Sequence, residues 1–552
     1  MGDQFATTPT PPVLVPSPPP VEATLSRQVS RAMLWNAAWQ VARLAAGFVS
    51  AIVVANLLSK DGYGTVARIS ALAVTFGLIA DFGVERGLAK FVPEIEARYG
   101  ASGVRRTLRL VIAQKLFVVA VIVVLCLIFR ERVFAYWEAD VREDAVRATL
   151  LQHRWVFFWS LIALVFFGAI FDVYMQTLTA YFKQRASGAI GFVAQVLSPI
   201  LRLTVVLVGW GILGFVGVLV TIPLVATVLA AWQATTVRRE LAEHPTLDAA
   251  GARVPQRLVA YSALSYWQQL TEYLYSLDFI IFAIPGVGAV ASFKFAHSLI
   301  NQILNALWSP LAGVQIPLFA RLYARNDRRQ LAEAYAILSK FLIAVLLPAA
   351  IGLSLLSYNL LAVLGAKYID AAWVARILAL TLFLDAAISV PLAILMAYER
   401  YRPMLIARSC ALVALPLVYF VVPRFGIVGA ALVMGGTRLG CDGLAMAFAL
   451  RHFGLRYPLR FAARVALATA AMAAVIAPLS LTFLLPPLPW DGALGLSRGA
   501  QALYGLGNAL LGGLGALVYL GVFRLTGGID AEDRRRIADL RLPLAGRLLR
   551  WL

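Results

Sequence analysis

The chain has 552 residues, 61% of them hydrophobic and only 14% charged, with a mean hydropathy of +0.79. A soluble domain carries about 45–50% apolar and about 25% charged residues, so a water-soluble globular fold is excluded. The net charge of +20 is concentrated in short segments between long apolar runs, which is the pattern of a membrane protein and not of a nucleic-acid-binding face.

Residues 1–26 hold seven prolines and no basic stretch ahead of an apolar one; they read as a disordered cytosolic tail, not a cleavable signal peptide. Apolar runs long enough to span a bilayer then place helices near 31–57, 64–88, 108–129, 154–177, 186–209, 211–235 and 258–284. They continue near 288–318, 331–357, 371–397, 404–422, 425–450, 461–485 and 500–523, fourteen in all. No ten-residue alternation of a transmembrane barrel is present, so the expected fold is an all-α polytopic membrane protein. Cys126, Cys410 and Cys441 fall in or beside these helices and read as small core residues, with no disulfide framework or metal site.

Lys and Arg lie unevenly on the two sides. The side holding both termini has Arg105, Arg106, Arg109, Arg238, Arg239, Arg328, Arg329, Arg451, Arg456, Arg460 and the tail after Arg524. The other side has Lys60, Lys367, Arg424, Arg498 and the 130–154 loop, whose arginines are offset by Glu131, Glu138, Asp140, Glu143 and Asp144. The positive-inside rule therefore puts both termini in the cytoplasm. The 130–154 loop reads as solvated, and the Arg- and Leu-rich 524–552 tail suits the anionic inner leaflet.

"GYGTVA" (62–67) and "GVGAVA" (286–291) each follow the first span of one half, where Gly62, Gly64 and Gly286 are expected to form outer turns. "GILG" (211–214) and "GIVG" (426–429) open the last span of each half at nearly the same offset. This order implies a duplication: a six-helix lobe at 27–240, a cytosolic linker at 241–257, a second lobe at 258–450, and two extra helices within 451–523. Two like-oriented halves are related by a pseudo-twofold axis along the membrane normal, with a cavity between them.

Several charges fall inside spans, where each costs roughly 2.5–3.5 kcal/mol unless it meets water or a partner. Arg43, Arg68, Arg202 and Lys294 are candidates to bind a diphosphate, with a salt bridge to a neighbouring carboxylate as the competing role. Ser265, Gln269, Glu272 and Ser276 form one polar stripe, and Lys294, His297, Asn301 and Asn305 another, suited to a cavity wall or to interhelical hydrogen bonding. Glu272 and Asp278 are candidates to carry a coupling proton or sodium ion. Arg438 and Asp442, four residues apart, are expected to pair with each other.

The stretch 57–94, with Leu58, Gly62, Tyr63, Gly64, Asp81, Phe82, Gly83 and "KFVPE" at 90–94, resembles the N-terminal signature of the polysaccharide flippases. These are a branch of the multidrug/oligosaccharidyl-lipid/polysaccharide exporter superfamily, and 425–450 is similar to their span 12 pattern. The resemblance implies a bacterial inner-membrane transporter, without cofactor or catalytic residues, that flips polyprenyl-diphosphate oligosaccharides to the periplasmic leaflet by alternating access. It also implies work alongside a polysaccharide polymerase and a chain-length regulator, and it puts Asp81, near Glu85 and Arg86, at a gate or structural turn. No nucleotide-binding P-loop occurs. The alternatives are a drug/cation antiporter of the same superfamily and a lipid-linked glycan polymerase or glycosyltransferase using Glu138 and Asp140.

Overall fold

The computed structural model describes residues 46–181, 183–242, 256–325, 328–398, 400–482 and 498–528. The expectations for Arg43, the 1–26 tail, most of the linker and the end of the chain from 529 lie outside the described residues. Everything described is helix or connection, as the apolar runs require.

The N-terminal lobe comprises α1 (Ala46–Leu57), α2 (Lys60–Asp81), α3 (Val84–Ile128), α4 (Arg130–Glu138), α5 (Asp144–Gln152) and α6 (Arg154–Ala180). A broken helix follows, α7 (Gln184–Phe192), a π-turn (Val193–Leu197) and α8 (Ser198–Leu207), and then α9 (Gly211–Ala242). The second lobe runs through α10 (Gln256–Tyr273), α11 (Leu277–Ile281), α12 (Val287–Arg325), α13 (Arg328–Leu364) and a 3-10 turn (Ala366–Ala371). It continues through α14 (Ala372–Ala387), α15 (Val390–Ala397), α16 (Tyr401–Ser409) and α17 (Ala414–Phe453). The added pair, α18 (Leu459–Thr482) and α19 (Arg498–Leu525), packs on the outside of α13.

Among the described residues eight helices are long and apolar enough to cross a membrane, or nine if α14 and α15, bent by 42°, form one span. The gap from fourteen has physical causes. Expected spans 5, 7 and 10 are interrupted, and spans 11 and 12 form one 53-residue run kinked at Gly426. Span 1 is described only from residue 46. Span 8, as α12, has 39 residues and would reach about 58 Å, but a polar face with Lys294, His297, Asn301 and Asn305 runs along it.

One expectation about the repeats is corrected and one is sharpened. Gly62 and Gly64 do not form a turn: the chain turns at Leu58 and Ser59, and the Ser59 hydroxyl accepts from the Gly62 amide to cap α2. Their role is packing. A Cβ on Gly64 would sit 2.1 Å from the carbonyl oxygen of Val287, inside the second motif, so the two motifs meet face to face where α2 crosses α12. In the later pair, Gly211 opens α9 and Gly426 kinks α17, with φ of +56° and +55°, a conformation that only glycine adopts without strain. A Cβ on Gly214 would come 2.5 Å from the Trp210 Cβ and one on Gly429 3.0 Å from the Phe425 Cβ, each four residues back, so the two glycines are packed in like manner.

The 130–154 loop is not a solvated coil. It folds as α4 and α5, with Trp137 and Leu150 fully buried and Phe134 packed between Trp137 and Phe158 of α6, ring centroids 5.7 and 6.0 Å apart. Cys126 and Cys441 are buried, but Cys410 is exposed and is not a core residue.

Candidate functional site

The seam between the lobes is closed at one end by side chains of α2 and the 3-10 turn. Lys60 Nζ lies 2.9 Å from Asp370 Oδ2, and Ser292 of α12 donates to the other Asp370 oxygen at 2.9 Å. Lys367 donates to the Asn56 carbonyl at 3.1 Å and to the Leu58 carbonyl, and the Tyr368 hydroxyl donates to Ala55 at 2.8 Å. Lys367 and Tyr368 thus satisfy carbonyls left open where α1 ends. At the other end, Phe82 stacks on Tyr266 with centroids 5.6 Å apart. Gly83, at φ +68°, lies so near α10 that a Cβ would be 2.2 Å from the Ser262 carbonyl. Thr75 and Tyr273 share a 2.5 Å hydrogen bond between these two ends.

Between the closures, basic groups from both lobes converge on Tyr63. Lys294 of α12 sits 5.9 Å from the Tyr63 ring centroid, and Arg202 of α8 packs 5.6 Å over Phe215. Arg202 interacts electrostatically with Tyr63 and Lys294, Lys294 also with Asp278, and His297, one turn along α12, feels both Lys294 and Arg438. Lys294, His297 and Arg202 are half-buried. Arg202 Nε is buried with no hydrogen-bond partner among the described residues, an expensive state for a guanidinium nitrogen. Asn301 and Asn305 continue the same half-buried face of α12.

Arg68 belongs elsewhere. It is 4% exposed, and one guanidinium nitrogen donates to the Tyr136 and Ala139 carbonyls, each at 2.9 Å, while the group stacks 5.3 Å over the Tyr136 ring. Asp61 completes the anchor by accepting from the Arg142 and Glu143 amides at 2.6 and 3.0 Å. Burial pushes the Tyr136 phenol up, against the pull of the Arg68 charge, so its ring stays neutral. Arg68 thus holds α4 onto α2. Glu138, a candidate metal ligand under the enzyme alternative, pairs with Arg154 at 3.4 Å.

The expected Arg438–Asp442 pair is replaced by cross-helix pairs. Arg438 Nε meets Asp385 Oδ2 of α14 at 2.6 Å, and Arg408 of α16 meets Asp442 at 3.2 Å while donating to the Tyr275 hydroxyl. A third of the Arg438 side chain remains exposed, against 2% for Asp385, so Arg438 reaches from the network toward His297.

Glu272 and Ser276 do not share a helical stripe, because α10 ends at Tyr273 and Ser276 caps α11, accepting from Phe279 N. Glu272 accepts from Gln268 at 3.0 Å, and Asp278 stands in the first turn of α11. Asp81 lies 3.6 Å from the buried Lys115 of α3, so its partner is across helices. The side chains of Glu85 and Arg86 lie outside the described residues. Tyr63 and Arg438 went unnoticed as site residues, the first read as part of a turn and the second as an internal pair. Only the packing of α2 on α12 and of α14 on α17 places them.

The sequence profile of the family described as polysaccharide biosynthesis protein matches residues 29–323. A solved structure titled lipid II flippase MurJ, inward closed conformation, is similar in fold, with a TM-score of 0.62 at 14% identity, covering 87% of this chain and 97% of that one. An inward-facing multidrug resistance MATE family transporter of the MOP superfamily gives a TM-score of 0.56 at 16% identity, covering 75% of this chain and 98% of that one. No curated protein sequence matches the chain.

Proposed function

The chain belongs to the polysaccharide biosynthesis protein family, and on that premise we propose that it flips polyprenyl-diphosphate-linked oligosaccharides across the bacterial inner membrane by alternating access of its two lobes. The observation that carries this reading is the convergence of Arg202 and Lys294, one from each lobe, near Tyr63, with a buried Arg202 nitrogen that has no hydrogen-bond partner among the described residues. A diphosphate brings about two negative charges and several acceptor oxygens, and it needs cations that meet it inside the membrane. Bound between Arg202 and Lys294 it ties the lobes together, so its arrival and departure bias which end of the seam is open.

His297, Asn301, Asn305 and the exposed part of Arg438 line the rest of the path. Asp81, Phe82 and Gly83 form the cytoplasmic gate against α10, and Lys60, Lys367 and Asp370 form the periplasmic one. Both termini are cytoplasmic. Asp278, beside Lys294, and Glu272, near Arg408 and Tyr275, carry the coupling proton or sodium ion. The chain works with a polymerase and a chain-length regulator that take up its product, and it performs no covalent step.

The test is reconstitution into vesicles with a fluorescent polyprenyl-diphosphate saccharide, its leaflet read by a membrane-impermeant quencher. Transfer that requires the chain supports the proposal. Transfer of a cationic dye with none of the lipid would instead support a drug/cation antiporter.

A further inference from the structure

On the basic side of the molecule, α3 breaks at Gly100, whose φ of 61° and ψ of −167° end one helical segment and begin the next. Gly103 lets the new segment pass close to Tyr99, since a Cβ there would lie 2.5 Å from the Tyr99 Cβ. Beside this bend is a cleft of about 580 Å³ lined by Ser102, Arg105, Arg106, Arg109, Leu110 and Ala113. Arg109 is exposed, and Arg105 is half-buried with its Nε enclosed and without a hydrogen-bond partner among the described residues.

The same face of α3 then turns wholly apolar. A shallow groove of about 240 Å³ is lined by Phe117, Ala120, Val121, Val124 and Leu125, and Phe117 and Val124 are 69% and 55% exposed. Helical steps of three and four join the two hollows into one stripe. The opposite face, with Val111, Lys115, Val119, Ile122 and Cys126, is buried in the lobe. The arginine cleft therefore faces lipid and not the cavity between the lobes.

We propose that this stripe binds one anionic phospholipid, its phosphate held by Arg105, Arg106 and Arg109 and one acyl chain lying along Ala113 to Leu125. Arginine forks suit a phosphodiester at the membrane surface. From Ala113 to Leu125 the helix rises about 18 Å. That is close to one leaflet of a hydrocarbon core about 30 Å thick, the depth a single phospholipid chain reaches. Charge complementarity at one end and an apolar track of one-leaflet length together select a phospholipid over a soluble anion.

The test uses the delipidated full chain in neutral detergent, with phosphatidylglycerol and phosphatidylcholine compared by native mass spectrometry and by melting temperature. Wild type should retain phosphatidylglycerol selectively, and Arg105→Gln/Arg109→Gln should bind it roughly 30-fold more weakly, at about 1 kcal/mol per arginine. Arg451→Gln/Arg456→Gln, which removes the same charge from exposed positions elsewhere, should bind as wild type. Val121→Trp, which blocks the groove, should also weaken binding. If the double variant does not fold, Arg109→Gln alone, at an exposed site, carries the test. Equal retention by all variants would overturn the proposal. So would displacement by inorganic phosphate with no effect of Val121→Trp, which marks a free-phosphate site, or displacement by equimolar polyprenyl diphosphate, which marks a site for the transported lipid.

Discussion

Gly64→Ala is predicted to open the end of the seam that Lys60 and Asp370 close. The new Cβ would lie 2.1 Å from the Val287 carbonyl oxygen and 2.9 Å from its carbon. Both neighbours are backbone, which cannot rotate aside, so α2 and α12 must separate by about 1 Å to accept it. Overpacking of this kind costs roughly 1–3 kcal/mol, and the cost falls only on the conformation in which the helices touch. The gain in helix propensity from Gly to Ala applies to both conformations and cancels. The closed-to-open ratio should therefore fall roughly 5- to 150-fold. Spin labels at the exposed positions 132 and 373, one on each lobe, read this as a shift toward longer distances. Gly288→Ala is the matched control, because its Cβ would meet nothing nearer than 3.6 Å. Unchanged distances in Gly64→Ala, or equal opening in Gly288→Ala, would refute the reasoning.

Three more outcomes are expected. Arg68→Ala should release α4 and α5 from α2, since two carbonyls lose a charged donor worth about 1.5–3 kcal/mol each; trypsin should then cut at Arg142 or Arg147 much faster than in wild type. Asp385→Asn should lower stability in detergent by about 3 kcal/mol, the low end for a broken buried pair because Arg438 is partly exposed. Asp385→Asn with Arg438→Gln should recover part of that loss, and a double variant no better than the single one would contradict it. Glu272→Gln with Asp278→Asn should abolish net transport if those carboxylates carry the coupling ion, and unchanged transport would remove them from that role.

The all-α membrane fold was plain from the apolar runs, because a bilayer leaves the backbone few options. Individual spans were less so. Breaks at Leu274–Ser276 and in the π-turn at Val193–Leu197 leave no mark on hydropathy, since the residues there are as apolar as their neighbours. The Gly-rich repeats were legible as letters but not as geometry: Gly211 and Gly426 are positive-φ breaks in the helical path, whereas Gly64 is a helix-crossing glycine. Charges inside spans pointed to the right helices, but their partners were set by which helices pack together. Hence Arg438 chose Asp385, 53 positions away, over Asp442 on its own helix. Arg68 was drawn to loop carbonyls that no spacing rule connects to it.

The central claim is that a diphosphate is carried between Arg202 and Lys294, and the most direct measurement is transport by Arg202→Gln/Lys294→Gln in the quencher assay. Two charged contacts of about 1.5–3 kcal/mol each predict a loss of at least roughly 100-fold in initial rate, with the purified variant folded and melting near wild type. Each single variant should fall between the two. Transport by the double variant at the wild-type rate would contradict the account.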